Sequence, residues 1–430
     1  MRISLVFPPS KVGGCFRGDP ELWPPLGVLY LAAVLEEEGH TVDVIDSTIL
    51  TRAQYETRIN SIHADMVGIS ASFGQIEATL NLAKMMKECC IPVVVGGPGP
   101  SSMGPELFLT WCDYVVKGEG EETFSDIALH IEAGEMPPVK GSYTQVNGSP
   151  VSPGTRPPIK NIDAVPFPAR EKVTITDYVK HWKSTYPKAV TSILSSRGCP
   201  FHCIFCSKSV FGTKFRARSA DNLAQELQVI QELGFDRVWF VDDLFVYNRK
   251  RVKEICETIR REKIDIEWAC QARVELMDRE LLSLMKSSGL VCIAFGVESG
   301  SQRLVDWYNK GFTLDQCRAV FSMCHHMKIA AHAYFIVGAP VETPDDIEQT
   351  KGFIREINPA YAIFSVLTPY PGTPLYSQYN PSGDLDELDD ARKSAIAGQE
   401  HAEKKREEME EFYAAFKAER GEKPLLLGEI

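Results

Sequence analysis

Three cysteines stand close together near the middle of the chain, in the stretch RGCPFHCIFCS at 197–207. Cys199, Cys203 and Cys206 are separated by three and then two residues, so their thiolates can converge on one iron–sulfur cluster, with each sulfur holding one iron. Structural zinc is the main alternative, but it takes four closed ligands, and neither a second Cys-x-x-Cys nor a nearby histidine pair completes such a set. A cluster with three protein ligands leaves one iron open, which suits the binding of a reactant.

Composition limits where this chemistry takes place. The chain has 430 residues, 12 cysteines and a net charge of -12, which argues against a general nucleic-acid binder. The N-terminal run MRISLVFPPS lacks the apolar core and cleavage site of a signal peptide, and no run reaches the ~18 apolar residues of a membrane span. We therefore expect a cytoplasmic protein without a membrane span, whose thiols are reduced and available to a metal.

The remaining cysteines on predicted strands and helices lack ligand spacing, and we expect them to be small buried hydrophobic residues. They are Cys89, Cys90, Cys112, Cys256, Cys270, Cys292, Cys317 and Cys324.

The N-terminal part, 1–135, alternates short Val/Ile-rich runs with amphipathic segments, which predicts a doubly wound α/β domain around a parallel sheet. The predicted strands are 3–7, 41–46, 66–70, 91–97 and 114–120. Ligands of such domains bind beyond the carboxyl ends of the strands. Three loops at those ends are small or rich in glycine, and together they favour a bulky ligand over simple tight turns. Their candidate contacts are Ser70, Ser72, Gly96, Gly97, Pro98, Gly118, Glu119, Gly120 and Glu121.

A Pro-, Gly- and Ser-rich stretch at 136–190 is predicted to be a linker with a small hairpin at 143–151, since Asn-Gly is a turn signal. The next part, 191–380, resumes the alternation with six predicted strands, which favours a barrel or partial barrel of β/α units. These strands are 191–198, 237–243, 266–274, 291–299, 330–338 and 361–372. Residues 381–430 are predicted to form a helical extension in which Phe412, Tyr413 and Phe416 pack against the remainder.

The motif CPFHCIFC, followed by six β/α units, resembles the CxxxCxxC signature of the radical S-adenosylmethionine (SAM) superfamily. The resemblance implies that the three cysteines ligate a 4Fe-4S cluster whose open iron binds SAM, and that Phe205 lies beside the adenine. It further implies SAM contacts at the ends of the later strands: Asp242, Asp243, Arg273, Glu298, Ser299 and Gly338. Val341 departs from the pattern, because this subgroup usually has a second glycine there.

The N-terminal domain resembles the cobalamin-binding domain of the B12-dependent class of these enzymes, through its S-x-S, GGPGP and GEGE loops. The implied fold is a Rossmann-like cobalamin domain, a partial radical SAM barrel and a helical tail. The histidine motif that ligates cobalt in other B12 proteins is absent, and His40 and His63 have the wrong setting, so we expect cobalamin bound base-off without a histidine ligand.

The two resemblances imply a methyltransferase that abstracts hydrogen from an unactivated sp3 carbon with a 5′-deoxyadenosyl radical and delivers a methyl group from methylcobalamin. One small member methylates the α-carbon of a glutamine in methyl-coenzyme M reductase, and we expect that substrate for this chain. A ferredoxin or flavodoxin is the expected electron donor, and a peptide, protein or small molecule the substrate. The alternatives are other radical chemistry on a small molecule, such as tetrapyrrole cyclisation or the methylation of a lipid or natural product, and a non-enzymatic cobalamin carrier.

Overall fold

The computed structural model describes residues 1–10, 22–379, 387–426 and 429–430, with the backbone alone for 387–401. The chain divides into two compact units. The first comprises Met1–Ser192, Lys208–Arg218 and Glu232–Phe235, and the second comprises Ile193–Ser207, Ser219–Gln231 and Asp236–Ile430. The domain boundaries expected from composition remain a prediction.

The first unit is built on a sheet that is parallel over five strands and then antiparallel over two, in the order β2-β1-β3-β4-β5-β6-β7. Its strands are β1 (Arg2–Phe7), β2 (Thr41–Asp46), β3 (Met66–Ser70), β4 (Val93–Gly96), β5 (Tyr114–Val116), β6 (Ser142–Val146) and β7 (Ser149–Val151). Its helices are α1 (Leu26–Glu37), α2 (Arg52–Asn60), α3 (Ile76–Glu88), α4 (Pro98–Ser102), α5 (Glu106–Leu109), α6 (Glu121–Glu132) and α7 (Ile175–Thr185). Strands β1, β3 and β4 are buried along most of their length, as expected when helices cover both faces of a sheet. The hairpin expected in the linker is present, and it extends this sheet through β6.

The other large sheet has its strands in the order β15-β14-β13-β12-β11-β8, and β11 to β15 belong to the second unit. The strands of the second half of the chain are β8 (Val190–Ile193), β9 (Ser196–Arg197), β10 (Arg216–Ala217), β11 (Arg237–Phe240), β12 (Glu267–Ala272), β13 (Leu290–Glu298), β14 (Ala330–Val337) and β15 (Tyr361–Val366). The helices are α8 (Ala220–Glu232), α9 (Arg249–Arg261), α10 (Arg279–Ser287), α11 (Gln302–Trp307), α12 (Leu314–His326), α13 (Pro344–Ile357), α14 (Pro374–Tyr379) and α15 (Glu387–Glu419). Strands β11 to β15 pair in parallel, which confirms the predicted half-barrel of β/α units.

The two faces of the second sheet differ in burial. On the outer face, Phe295 packs against Phe321 of α12 and Phe364 against Tyr413 of α15, and all four rings are buried. On the inner face, alternate residues are only partly covered. These are Val241, Gln271, Tyr334, Ile336, Ile363 and Ser365. These six side chains are uncharged, but the face also carries charge, since a Cβ added at Gly296 on the same face would come 2.9 Å from Nζ of Lys310.

His332 lies on this inner face near the start of β14, where it is 4% exposed. Burial lowers the pKa of its imidazole to about 4, because desolvation disfavours the charged form. The unfolded chain therefore binds more protons than the folded chain between the ordinary histidine value and about pH 4. Stability attributable to the neutral ring is present above pH ~6.5 and is lost as the pH falls toward 4.

We expect His332→Phe to flatten this part of the pH profile, removing up to about 3 kcal/mol of acid destabilisation. Denaturant midpoints measured between about pH 7 and pH 4.5 test the expectation, and His325→Phe, at an exposed ring, is the control. Parallel profiles for wild type and His332→Phe would contradict it.

Burial of the non-cluster cysteines follows the expectation with two exceptions. Cys112, Cys256, Cys270, Cys292, Cys317 and Cys324 are buried. Cys89 and Cys90 are exposed, so the expectation of burial was wrong for this pair. The physical reason is their position: Cys89 is the C-cap of α3 and Cys90 continues the turn in a left-handed conformation with φ 58°, beyond the helix's buried face.

The C-terminal helix packs as expected, since Tyr413 is 4% and Phe416 7% exposed. Among the described residues, no helix is both long and apolar enough to cross a bilayer.

Candidate active site

The three cysteines lie in a loop that begins directly after β9, at the carboxyl edge of the second sheet. Two aspartates from the end of β11 fix the start of that loop. Asp242, 1% exposed, accepts hydrogen bonds from the backbone N–H and the hydroxyl of Ser195, both at 2.6 Å, and from the hydroxyl of Ser196 at 2.5 Å. Asp243 accepts a hydrogen bond from the N–H of Gly198 at 2.8 Å. These bonds give the Asp242 carboxylate a positioning role, and its assignment as a SAM contact stays a prediction.

Arg273, at the end of β12, contacts the cysteine loop itself. Its guanidinium lies 3.8 Å over the Phe201 ring, and Nη1 is 3.5 Å from the Sγ of Cys203. Nη2 donates to the carbonyl of Lys310, and Nε pairs with Glu275. This cation lies beside the sulfur of Cys203, where it would offset the negative charge of a bound cluster.

The far side of the loop is held by the segment after α11 and by the start of α14. Asn309 Nδ2 donates to the carbonyl of His202 at 2.8 Å, and the N–H of Ile204 donates to the carbonyl of Tyr308 at 3.2 Å. The N–H of Leu375 donates to the carbonyl of Ile204 at 3.0 Å. Phe205 meets Tyr308 edge-to-face, with ring centroids 5.5 Å apart. Separate strand-end segments thus fix the loop in place.

Glu298, predicted to contact SAM, forms a buried ion pair with Lys310. Nζ of Lys310 is 2.6 Å from Oε1, and both side chains are 7% exposed. Glu298 ends β13 in the left-handed region, with φ 67°, which non-glycine residues rarely adopt. Such strain persists only where surrounding contacts enforce it, and it clusters at functional sites.

Two further predicted SAM contacts have structural partners in this unit. Ser299, 2% exposed, shares a hydrogen bond with Thr350 at 3.1 Å and accepts one from the N–H of Ser301. Gly338 follows β14 with φ 83°, and its N–H donates to the carboxylate of Glu342. Both lie at the same sheet edge as the cysteine loop, and their assignment as SAM contacts stays a prediction.

The donor set fits a cluster better than a single ion. Cys199, Cys203 and Cys206 are each partly exposed. Within the described residues, no group of three His, Cys, Asp or Glu side chains is arranged to hold one metal ion. A cluster needs no such convergence on one point, because each thiolate binds a different iron. A mononuclear zinc site at these cysteines is accordingly disfavoured.

In the first unit, the Ser70–Ser72 and Gly96–Pro98 loops pack against each other at the carboxyl ends of β3 and β4. Ala71 donates its N–H to the carbonyl of Gly96 at 2.8 Å. Gly97 has φ 104°, and a Cβ placed there would come 2.8 Å from the carbonyl oxygen of Ala71 and 3.2 Å from Oγ of Ser70. Only glycine permits this close approach, so the two loops form one continuous edge.

Lys117 connects the Gly118–Glu121 loop to the segment that follows the Gly96–Pro98 loop. Its Nζ donates to the carbonyls of Pro100, at 2.6 Å, and Met103, while the N–H of Gly118 donates to Ser101 at 3.0 Å. Burial lowers the pKa of Lys117 to about 8, because desolvation disfavours the ammonium. The loops at the ends of β4 and β5 are therefore one hydrogen-bonded unit.

Glu119 has a structural partner that its sequence setting does not indicate. Its carboxylate lies 2.7 Å from Nη1 of Arg216, with both side chains 5% exposed, and it accepts the N–H of Ile159 at 2.6 Å. Arg216 also donates to the carbonyls of Ile159 and Phe211. Glu119 thus anchors the linker and β10 to this unit, which favours an indirect role in ligand binding. Glu121 begins α6 and is 8% exposed, and Gly120 precedes it with Leu31 3.3 Å from the position of a Cβ.

His40 and His63 both precede strands, at the amino edge of the first sheet. His40 is 6% exposed, with Nδ1 3.4 Å from the N-terminal amine of Met1. Neither residue lies on the edge that carries the three loops. Their placement agrees with the expectation that neither ligates cobalt, while the base-off state itself stays a prediction.

Sequence reasoning missed one cation in each unit that pairs with a predicted site carboxylate. Lys310 is 12 residues from Glu298, and Arg216 is 97 residues from Glu119. No local pattern marks either residue, because each pair forms only when distant segments meet.

Two family models match this chain. A family model for the B12 binding domain matches residues 12–128, and a model for the radical SAM superfamily matches residues 193–354. An uncharacterized methyltransferase of Pyrococcus horikoshii is 34% identical over 386 residues, spanning 87% of this chain and 82% of that protein. The anaerobic magnesium-protoporphyrin IX monomethyl ester cyclase of Rubrivivax gelatinosus is 29% identical over 398 residues, spanning 88% of this chain and 70% of that protein.

Among solved structures, the radical S-adenosylmethionine methyltransferase TsrM of Kitasatospora setae, with cobalamin and a 4Fe-4S cluster bound, has the same fold. The TM-score is 0.74 at 19% identity, covering 88% of this chain and 78% of that chain.

Proposed function

Because this chain belongs to the family of radical SAM methyltransferases with a B12-binding domain, we propose that it methylates an unactivated sp3 carbon of its substrate. The observation that carries the proposal is the three-cysteine loop, buttressed by Asp242 and Arg273 at the carboxyl edge of the half-barrel. A chain that used the half-barrel only as a scaffold would have no need of three partly exposed thiols with a guanidinium beside one of them.

The residues present fit the cofactors of the family. When bound, the cluster, SAM and cobalamin supply one-electron cleavage of a carbon–sulfur bond and a transferable methyl group. The three cysteines would hold the cluster, and Arg273 would neutralise part of its charge. The joined loops at Ser70–Ser72, Gly96–Pro98 and Gly118 would hold cobalamin, base-off and without a histidine ligand. A ferredoxin or flavodoxin would supply the electron.

For the substrate, we propose a glutamine residue of methyl-coenzyme M reductase, methylated at its α-carbon. The support is the inner face of the second sheet, where Gln271 and Ser365 offer hydrogen bonds among apolar neighbours. A neutral amide can exchange hydrogen bonds with these side chains and loses less hydration on burial than a charged group does.

A matched pair of peptides tests the substrate. The anaerobically reconstituted enzyme, with SAM, cobalamin and reductant, is given a peptide containing one glutamine or the same peptide with glutamate. We expect the glutamine peptide alone to gain one methyl group, located at the α-carbon by fragmentation. If 5′-deoxyadenosine forms while the glutamine peptide stays unmodified, the substrate is wrong. If no 5′-deoxyadenosine forms even without peptide, the enzyme class is wrong.

A second candidate is radical chemistry on a tetrapyrrole, favoured by the 29% identity to a magnesium-protoporphyrin cyclase. The large, mostly apolar ring system of a tetrapyrrole would also suit the apolar residues of the inner face. Product mass separates the two functions, because methylation adds a methyl group and oxidative cyclisation does not.

A further inference from the structure

Helix α15 contacts the turn that follows β14, at the same sheet edge as the cysteine loop. Gly338 begins this turn in the left-handed region, and a Cβ added to it would come 2.6 Å from the Cβ of Ala402 on α15. Ala402 is 4% exposed. The methyl group of Ala402 therefore covers the turn, and the absence of a side chain at Gly338 leaves room for it.

An ion pair continues this contact. Lys405, one helical turn after Ala402, places Nζ 2.7 Å from Oε1 of Glu342, whose side chain is 1% exposed. The Glu342 carboxylate in turn accepts the N–H of Gly338, at 3.1 and 3.3 Å to its two oxygens. The Lys405 ammonium on α15 is thus linked to the backbone N–H of Gly338 through the buried carboxylate of Glu342. A buried carboxylate left without its cation is strongly unfavourable, so Lys405 fixes where Glu342 and the turn lie.

The turn also contacts the cysteine loop. Ala339 forms a buried cluster with Leu304 and Tyr308, and Phe205 of the cysteine loop packs against that cluster. A displacement of the Gly338 turn would therefore disturb the packing of Phe205, the residue that precedes Cys206.

We propose that Lys405 is a positioning residue for SAM binding: through Glu342 it holds the Gly338 turn as one wall of the space beside the cluster loop. The inference rests on the proposed function, because that function makes SAM the molecule that binds beside the cysteine loop. Lys405 acts through Glu342 and makes no contact with the reacting atoms.

Other contacts hold α15 in place independently of Lys405. Tyr413 donates its hydroxyl to the carbonyl of Pro359 at 2.9 Å, and Glu408 pairs with Lys351 at 2.6 Å. Arg355 lies 4.6 Å over the Phe412 ring. A change at Lys405 is accordingly expected to loosen the turn without detaching the helix.

The test compares Lys405→Met with Lys404→Met, a neighbouring exposed lysine on the same helix, in the reconstituted full-length holoenzyme. The readouts are equilibrium SAM binding, followed by the change in the electron paramagnetic resonance signal of the reduced cluster, and 5′-deoxyadenosine formation without substrate. We expect Lys405→Met to raise the Kd for SAM about 10-fold, the equivalent of one lost hydrogen bond to a charged group, with little change in the rate at saturating SAM. Lys404→Met should match the wild type, and Lys405→Arg should restore most of the affinity.

An unchanged Kd in Lys405→Met, or a raised Kd that Lys405→Arg fails to restore, overturns the inference. If Lys405→Met does not fold, Lys405→Gln, which keeps the length and a donor but removes the charge, is measured in its place under the same criteria. A wild-type enzyme that neither binds SAM nor forms 5′-deoxyadenosine contradicts the proposed function instead, so the two failures are distinct.

Discussion

Cys203→Ala is expected to abolish both 5′-deoxyadenosine formation and substrate methylation. Of the three cysteines, Cys203 is the one whose sulfur lies beside Arg273, at 3.5 Å, so its loss removes a ligand and leaves the guanidinium without that partner. Two thiolates cannot hold a cube whose fourth iron must also stay open for SAM. We expect iron and sulfide content to fall together with the visible absorbance of the reconstituted cluster.

Cys89→Ala is the matched control, because it removes an exposed thiol far from any ligand spacing. It should leave iron content and 5′-deoxyadenosine formation at the wild-type level. If Cys203→Ala still produced 5′-deoxyadenosine under reductant, the result would contradict the assignment of the cluster and the radical mechanism.

Lys310→Met is expected to have the next largest effect. It leaves the carboxylate of Glu298 at the end of β13 without its cation, in a position where both side chains are 7% exposed. Breaking a buried ion pair from one side costs about 3–5 kcal/mol, since the remaining charge keeps its desolvation penalty. Because Glu298 also has a left-handed backbone enforced by its contacts, we expect lower SAM affinity as well as a lower denaturant midpoint.

Lys250→Met provides the comparison, since Lys250 pairs with Glu254 at 3.8 Å on the exposed surface of α9 with 88% of its side chain exposed. Exposed pairs of this kind contribute about 0–1 kcal/mol, so its midpoint should stay close to that of the wild type. Equal denaturant midpoints for Lys310→Met and Lys250→Met would show that the buried pair does not stabilise this edge of the sheet.

Much of the fold was predictable because it depends on local sequence patterns. Strands β2 and β3 were predicted with their observed bounds, 41–46 and 66–70, since short continuous Val/Ile-rich runs form strands that helices cover on both faces. The six strands of the half-barrel followed for the same reason. Strand β5, which precedes the Gly118–Glu121 loop, ends earlier than expected, at Val116, because Lys117 turns toward the carbonyls of the neighbouring loop.

Prediction of the site was limited by contacts between distant segments. Asp242 was predicted as a SAM contact, which stays a prediction, and the structure adds that its carboxylate binds Ser195 and Ser196, 47 and 46 residues away. Glu119 was predicted as a cobalamin contact, which stays a prediction, and the structure adds a pair with Arg216 that nothing near either residue in the chain marks. A carboxylate at a strand end can contact a ligand or hold a loop, and only the positions of its partners distinguish these roles.

The sequence by itself determined the chemistry and the architecture: three thiols at cluster spacing, and two successive α/β patterns that place them at a sheet edge. It could do so because ligand spacing and strand periodicity are properties of adjacent residues. The tertiary structure alone decided which charges support that loop, which face of the second sheet is left half open, and that helix α15 reaches the Gly338 turn through Lys405. These features depend on burial and on pairs between residues that are far apart in the sequence. A buried charged side chain is stable only where folding places its partner beside it.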